Sequence, residues 1–195
     1  KLLKAMGIPY IQAPSEGEAQ AAWMNREGKV YAVGSQDYDA IIFNCKRLVK
    51  NLGVTGKRKI QGKQAYKKVV PEIIETEAVL DDLEITHEKL IWISILIGTD
   101  FNPGGIKGIG PKRGLKYVKK YDDIEGVLKE KEKEVNNYEK IKELFLNPKI
   151  TEDYSIEFKK MDVEGIKDFL CDKHEFSESR VQSALDKIEE GREKG

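Results

Sequence analysis

Residues 95–114 read ILIGTDFNPGGIKGIGPKRG, and how this stretch is read decides the fold. It starts inside an apolar run, LIWISILIG over residues 90–98, and ends in a basic segment opened by Pro111. Two nucleotide-binding readings fail. A dinucleotide fingerprint needs G-x-G-x-x-G directly after a strand. Here Gly108 and Gly110 are followed by Gly114, one place late, and a turn-rich segment precedes them. A Walker loop needs lysine after its second glycine. Gly105 and Gly110 have that spacing, but Pro111 holds the lysine position. What fits is a helix, a glycine hairpin and a second helix that begins at Pro111, since proline is tolerated at the first helical position. Amides at the helix start can hold a phosphate oxygen. Lys107, Lys112, Arg113 and Lys116 surround them with positive charge, an arrangement that grips a nucleic-acid backbone without reading bases. An ordinary glycine-rich turn between helices is the bland alternative.

Upstream the pattern alternates. Residues 8–13 (IPYIQA) predict a short strand, and Ser15 with Glu18 fits the S-x-x-E capping box of a following helix. Ala19, Ala22, Trp23 and Arg26 recur at helical spacing. Residues 29–35 predict a second strand, and residues 40–43 and 47–52 two more. Strand, helix and strand at this spacing point to a βαβ unit with a parallel sheet. From Thr76 the pattern turns helical. Thr86 caps a helix over 88–97, and shorter helices follow over 111–120, 123–128, 138–146, 165–171 and 177–190. The expected class is α/β: a parallel-sheet core in residues 1–100, then a helical region with the helix-hairpin-helix in residues 101–195.

Five acids stand out at three places. Asp37 and Asp39 directly follow the second predicted strand, and open α/β sheets bind ligands beyond the carboxyl ends of their strands. If the chain stays extended there, the two carboxylates point to one side. An Asp-rich turn is the alternative. Glu16 and Glu18 open the first helix, where the dipole favours acids in any case. They serve one site only if Glu16 sits at the cap rather than inside the helix. Asp100 ends the apolar helix, where the dipole disfavours an anion and a nearby cation would remove the conflict. It also fits a plain turn over 99–103. Hard divalent ions such as Mg²⁺ take oxygen ligands of this kind, with substrate phosphate completing the shell. His87 and His174 lack partners at ligand spacing, which leaves no soft-metal alternative.

Composition bounds the function classes. The chain has 195 residues, 39% apolar and 35% charged, with 34 basic and 34 acidic side chains. Zero net charge excludes a histone-like polycation. The charge is segregated, however: residues 46–70 and 101–121 are purely basic, and the stretch between them is strongly acidic. Local polyanion binding therefore survives overall neutrality. Residues 57–68 (KRKIQGKQAYKK) read equally well as a solvated loop. No apolar run approaches the roughly 20 residues of a membrane helix, so no membrane partner is expected. Two distant cysteines make no disulfide framework and predict a reducing, intracellular setting. The opening KLLKAMGIPY reads as the end of one element running into the next, as in a chain that begins mid-domain.

The motifs APSEGEAQAA (13–22), SQDYDAIIF (35–43), ILIGTDFNPGGIKGIGPKRG (95–114) and NPKITEDYS (147–155) together resemble the archaeal flap endonucleases, in order and spacing along almost the whole chain. The resemblance implies a structure-specific 5′ nuclease of replication and repair. Such enzymes remove 5′ flaps from branched duplex DNA with two Mg²⁺ ions, for which Mn²⁺ can substitute. It implies metal-ligand roles for Glu16, Glu18, Asp37, Asp39 and Asp100. It implies backbone-binding roles for Gly108, Gly110, Lys112 and Arg113, with a potassium ion at the hairpin. A sliding clamp is the implied protein partner of the full protein, and the prokaryotic cytoplasm, at the nucleoid, the implied location. The family's amino-terminal half, with its first strand, further aspartates and helical arch, has no counterpart in this sequence. Nor has its clamp-binding motif. The parallel core is therefore expected to be incomplete on its amino-terminal side. Two other readings stay open on the residues alone: a non-catalytic module that binds DNA backbone, and a protein-interaction scaffold with acid-rich turns.

Overall fold

The computed structural model describes residues 1–53, 56–59 and 66–193. In chain order the elements are α1 (Leu2–Ala5), α2 (Gly17–Arg26), β1 (Val33–Gly34), α3 (Asp39–Ile42), β2 (Arg47–Lys50), β3 (Lys57–Lys59), β4 (Tyr66–Lys68), β5 (Glu72–Glu75), α4 (Thr76–Leu83), α5 (His87–Ile97), α6 (Pro111–Lys120), α7 (Ile124–Lys131), α8 (Tyr138–Leu146), α9 (Val163–Lys167), a single π-helical turn (Asp168–Asp172) and α10 (Glu178–Glu193). They fall into two compact units: residues 13–151, and residues 1–12 with 152–195.

In the larger unit β2 is the middle strand. It pairs in parallel with β1, Val33 opposite Leu48, and antiparallel with β5, Leu48 opposite Ile74. The β1–β2 pair is parallel, as expected, and β5 makes the sheet mixed. Among the described residues the chain reaches β5 through β3 and β4 with no crossover helix, and a parallel neighbour requires such a crossover. β3 and β4 form a separate antiparallel ribbon within the basic stretch 57–68, whose residues 60–65 lie outside the described residues.

Two expected strands are absent. Residues 40–42 belong to α3 instead, closed where the N–H of its C-cap Phe43 donates to the Asp39 carbonyl at 2.8 Å, and Asn44, at φ 62°, turns the chain into β2. A short apolar run fits a buried helix as well as a strand. Residues 8–13 pair with none of the described strands. Pro9 lacks a donor, and a strand without a neighbour has no ladder to join. The capping box also fails: Glu16 is the N-cap of α2, with no side-chain cap bond, so Ser15 lies outside the helix.

The core follows the apolar run. α5 buries Ile91, Trp92, Ile93, Ile95 and Leu96, too many for one face, and so lies in the middle of its unit, packed by α3, α6 and α8. Thr86 caps it, accepting from Lys89 N–H at 3.2 Å. α6 begins at Pro111 and buries Gly114 and Val118. A Cβ on Gly114 would stand 3.2 Å from Ile93 Cγ2, so glycine lets the two helices approach closely. α5 and α6, on either side of residue 100, pack together. His87 is structural. Its Nε2–H donates to the Ile42 carbonyl at 2.7 Å, and burial pushes its pKa down, which keeps the ring neutral.

In the smaller unit α1, α9 and α10 close around Met161, Ile166, Val181 and Leu185. The expected helices over 165–171 and 177–190 are present there as α9 with its π turn and as α10. No described helix is long and apolar enough to cross a membrane.

Candidate active site

Three chain segments of the larger unit converge at the carboxyl end of β1. The start of α2 brings Glu16 and Glu18. The bend after β1 and the first residue of α3 bring Asp37 and Asp39. The turn after α5 brings Asp100. Glu16 does sit at the cap, so it and Glu18 reach a common cavity of about 400 Å³. Glu16, Glu18, Asp39 and Asp100 line this cavity, with Phe43 and Phe145 among its apolar walls, and no basic side chain among the described residues lines it. Phe145 stacks on Phe43 at 4.9 Å and meets the edge of Phe101 at 5.6 Å, which joins α3, α8 and the Asp100 turn.

Asp37 differs from the other four. It is exposed and does not line the cavity, because Asp39 has entered α3 and the extended i, i+2 geometry is lost. Its charge still reaches the site. Burial raises the Asp39 pKa, and the charges of Glu18, Asp100, Asp37 and Glu16 raise it further, in that order. The other four predicted acids thus all bear on Asp39, although they come from positions as far apart in sequence as 16 and 100.

Sequence reasoning missed Ser35. Its Oγ donates to Glu18 Oε1 at 2.6 Å and accepts from Asp37 N–H at 3.1 Å. One hydroxyl thus fixes a carboxylate from α2 and the backbone of the acid-bearing bend. The only local signal was a serine two places before Asp37. Asp100 is held by its neighbours. Asn102 Nδ2 donates to the Ile95 carbonyl at 2.7 Å, satisfying an open carbonyl at the end of α5, and Thr99 Oγ1 donates to Asn102 Oδ1 at 2.6 Å.

The hairpin between α5 and α6 belongs to the same unit. Ile106 and Ile109 are buried and anchor it, while Lys107, Lys112 and Lys116 are exposed and make no ion pair among the described residues. Gly108 is at φ +88°, and its carbonyl accepts from Arg113 Nη1 at 2.7 Å. Arg113 therefore braces the loop as well as adding charge. Gly110 is the N-cap of α6 with no side-chain cap, so the first amides of that helix have no capping side chain. Lys119 and Lys120 are spent elsewhere, on Glu84 at 2.7 Å and Glu130 at 2.6 Å.

The XPG I-region pattern matches residues 7–100. The chain is 55% identical to flap endonuclease 1 of Pyrococcus abyssi over 188 residues, which is 96% of this chain and 54% of that protein. It is 51% identical to flap endonuclease 1 of Pyrococcus furiosus over 195 residues, 100% of this chain and 57% of that protein. The structure superposes on flap endonuclease-1 from Methanococcus jannaschii with a TM-score of 0.82 at 46% identity, over 96% of this chain and 54% of that one. Over nearly its whole length the chain is thus similar to flap endonuclease 1 of archaea. It spans about half the length of the curated relatives it matches. The catalytic core of Rad2 bound to DNA shares the fold, with a TM-score of 0.72 at 19% identity over 94% of this chain and 65% of that one.

A hard divalent ion is the group that such acids would suit. Their chemistry fits: oxygen donors only, in a cavity with no cationic side chain among the described residues, and with Asp39 driven toward its neutral form by burial and by the charge of the rest. Among the described residues, no three Asp, Glu, His or Cys side chains are grouped to enclose an ion. Mg²⁺ commonly takes one or two carboxylates and completes its octahedron with water and phosphate oxygens.

Proposed function

We propose that the protein carrying this chain is a structure-specific 5′ flap endonuclease that hydrolyses DNA phosphodiesters in replication and repair, using two Mg²⁺ ions, for which Mn²⁺ substitutes. The observation that carries the proposal is the convergence of Glu16, Glu18, Asp39 and Asp100 on one cavity, in the same packing unit as a basic glycine hairpin. Glu16, Glu18, Asp39 and Asp100 would hold the ions, and Asp37 would add its charge from the rim. When bound, such ions lower the pKa of a coordinated water and stabilise the leaving oxygen of the phosphodiester. Ser35 holds Glu18 in its rotamer, and the phenylalanine wall limits water on the inner side. The amides before Gly114, with Lys112 and Arg113, grip the duplex backbone and so set how far from the grip the cut falls; Gly108 and Gly110 let that backbone come close. A potassium ion at the hairpin, a sliding-clamp partner and action on chromosomal DNA in the cytoplasm belong to the same proposal. In functional terms residues 1–100 carry the cutting half and residues 101–195 the gripping half.

The test is cleavage of a 5′-flap DNA by the complete protein with Mg²⁺. Replacing Asp37→Asn together with Asp39→Asn should lower the rate by roughly a hundred-fold or more, the scale of losing groups that act on the transition state. An unchanged rate sinks the nuclease reading. For the chain by itself a second reading has support: among the described residues no three acids are grouped to hold an ion. In that reading the chain binds DNA backbone without cutting it. Its DNA affinity would then be indifferent to Mg²⁺ and would fall on Lys112→Ala with Arg113→Ala.

A further inference from the structure

Tyr38 lies between Asp37 and Asp39, and the chemistry above makes no use of it. Its side chain is 57% exposed. The ammonium of Lys50, at the end of β2, sits 3.5 Å from the ring centroid and covers one face. Lys50 makes no ion pair among the described residues, although two acids flank the ring it covers. Tyr31 provides the contrast. It too is exposed and carries a cation, Arg47, at 4.8 Å, but that guanidinium is tied to Glu75 at 3.0 Å. The Tyr38–Lys50 pair thus keeps both an open aromatic face and an unneutralised charge. Its position is also fixed relative to the cavity. Tyr38 is the residue before α3, and its carbonyl accepts from Ile41 N–H at 2.9 Å. The segment that carries the ring is the one that places Asp39.

We propose that Tyr38 is a stacking platform for a nucleobase beside the phosphodiester presented to the acidic cavity, and that Lys50 is its positioning residue. The inference rests on the nuclease reading and adds a substrate contact to it. Every base has a π face, so such a platform is indifferent to sequence, as a flap-cutting enzyme needs. Lys50 closes the inner face of the ring, where the cation–π contact holds it upright, and turns its remaining N–H donors toward the neighbouring phosphate. The outer face is left for the base.

The experiment uses the complete protein, with Ca²⁺ in place of Mg²⁺ to keep the DNA uncut. The 5′-flap DNA carries 2-aminopurine in turn at each nucleotide flanking the junction. Binding of the unaltered protein should change the fluorescence at one of these positions. Tyr38→Ala should abolish that change and, with Mg²⁺ restored, raise KM about ten-fold, the scale of losing one stacked base. Tyr38→Phe should retain both, Lys50→Met should weaken the signal, and Tyr31→Ala should leave it intact. An exposed ring contributes little to folding, so the melting temperature of Tyr38→Ala should be unchanged. A Tyr38→Ala protein with the full fluorescence change and the original KM overturns the inference. An unaltered protein that cuts flaps with no change at any position also overturns it, while leaving the nuclease reading standing. Failure to bind flap DNA at all would end both.

Discussion

Asp39 carries the electrostatic conflict of the site. Partial burial and four neighbouring acids raise its pKa above the ordinary carboxylate value, so folding favours the protonated form. The sign of the linkage follows. Below the unfolded-state pKa the group is neutral in both states and contributes nothing. As pH rises through the folded-state value the ionised carboxylate becomes a net cost, which persists at neutral pH. Asp39→Asn should therefore raise the melting temperature of the metal-free protein at pH 7, by a few degrees at most for a half-exposed group. The gain should shrink as pH is lowered toward 4. Added Mg²⁺ should stabilise the original protein more than the variant, because the ion relieves a repulsion the variant lacks. Thermal melts in EDTA and in Mg²⁺ across pH check all three. A variant that is less stable at pH 7 without metal would show that the Asp39 charge is compensated by something other than a cation.

At the scale of elements, the hairpin works because its glycines do different jobs. Gly104 and Gly105 both have positive φ, +84° and +46°. A Cβ on Gly104 would meet nothing within 4 Å, whereas one on Gly105 would lie 2.4 Å from the Ile97 carbonyl carbon, inside α5. Gly104→Ala should then cost only backbone strain, about 1 kcal/mol, and Gly105→Ala at least about 2 kcal/mol more, because the helix end itself must move. Urea unfolding measures both, and DNA binding should fall with the second variant only. This contrast also shows what the sequence could and could not reveal. The ends of α5 and α6 were legible because their signals are local: the Thr86 cap, the Pro111 start, the glycines between. The acids were legible as residues but not as a cluster, since Asp39 meets Glu18 and Asp100 only through the packing of α2 and α5. Ser35 was missed because its partner lies seventeen residues back, on another element. The strands expected over 8–13 and 40–43 failed because short apolar runs carry no period that separates strand from helix, and a strand exists only with a neighbour.

At the scale of the whole molecule, neutrality conceals polarity. Equal numbers of basic and acidic side chains leave no long-range attraction to DNA, so affinity has to come from cations close to the phosphates. Of the basic residues on α6, Lys119 and Lys120 are already held by Glu84 and Glu130, and they release no counterions on binding. Lys112 and Lys116 are exposed, make no ion pair among the described residues and lie on the helix that follows the hairpin. The salt dependence of DNA binding should therefore count the second pair and ignore the first. Each phosphate contact contributes about −0.9 to the slope of log K against log salt on duplex DNA. Lys112→Ala with Lys116→Ala should make that slope shallower by roughly two and leave the melting temperature unchanged, because neither side chain is packed. Lys119→Ala with Lys120→Ala should instead loosen α6 from α4 and α7, lowering the melting temperature slightly with little change in slope. Fluorescence anisotropy over a KCl series separates the two outcomes. If the paired lysines carried the slope and the unpaired ones did not, the phosphates would be meeting a different face of α6, and the hairpin would not be the grip.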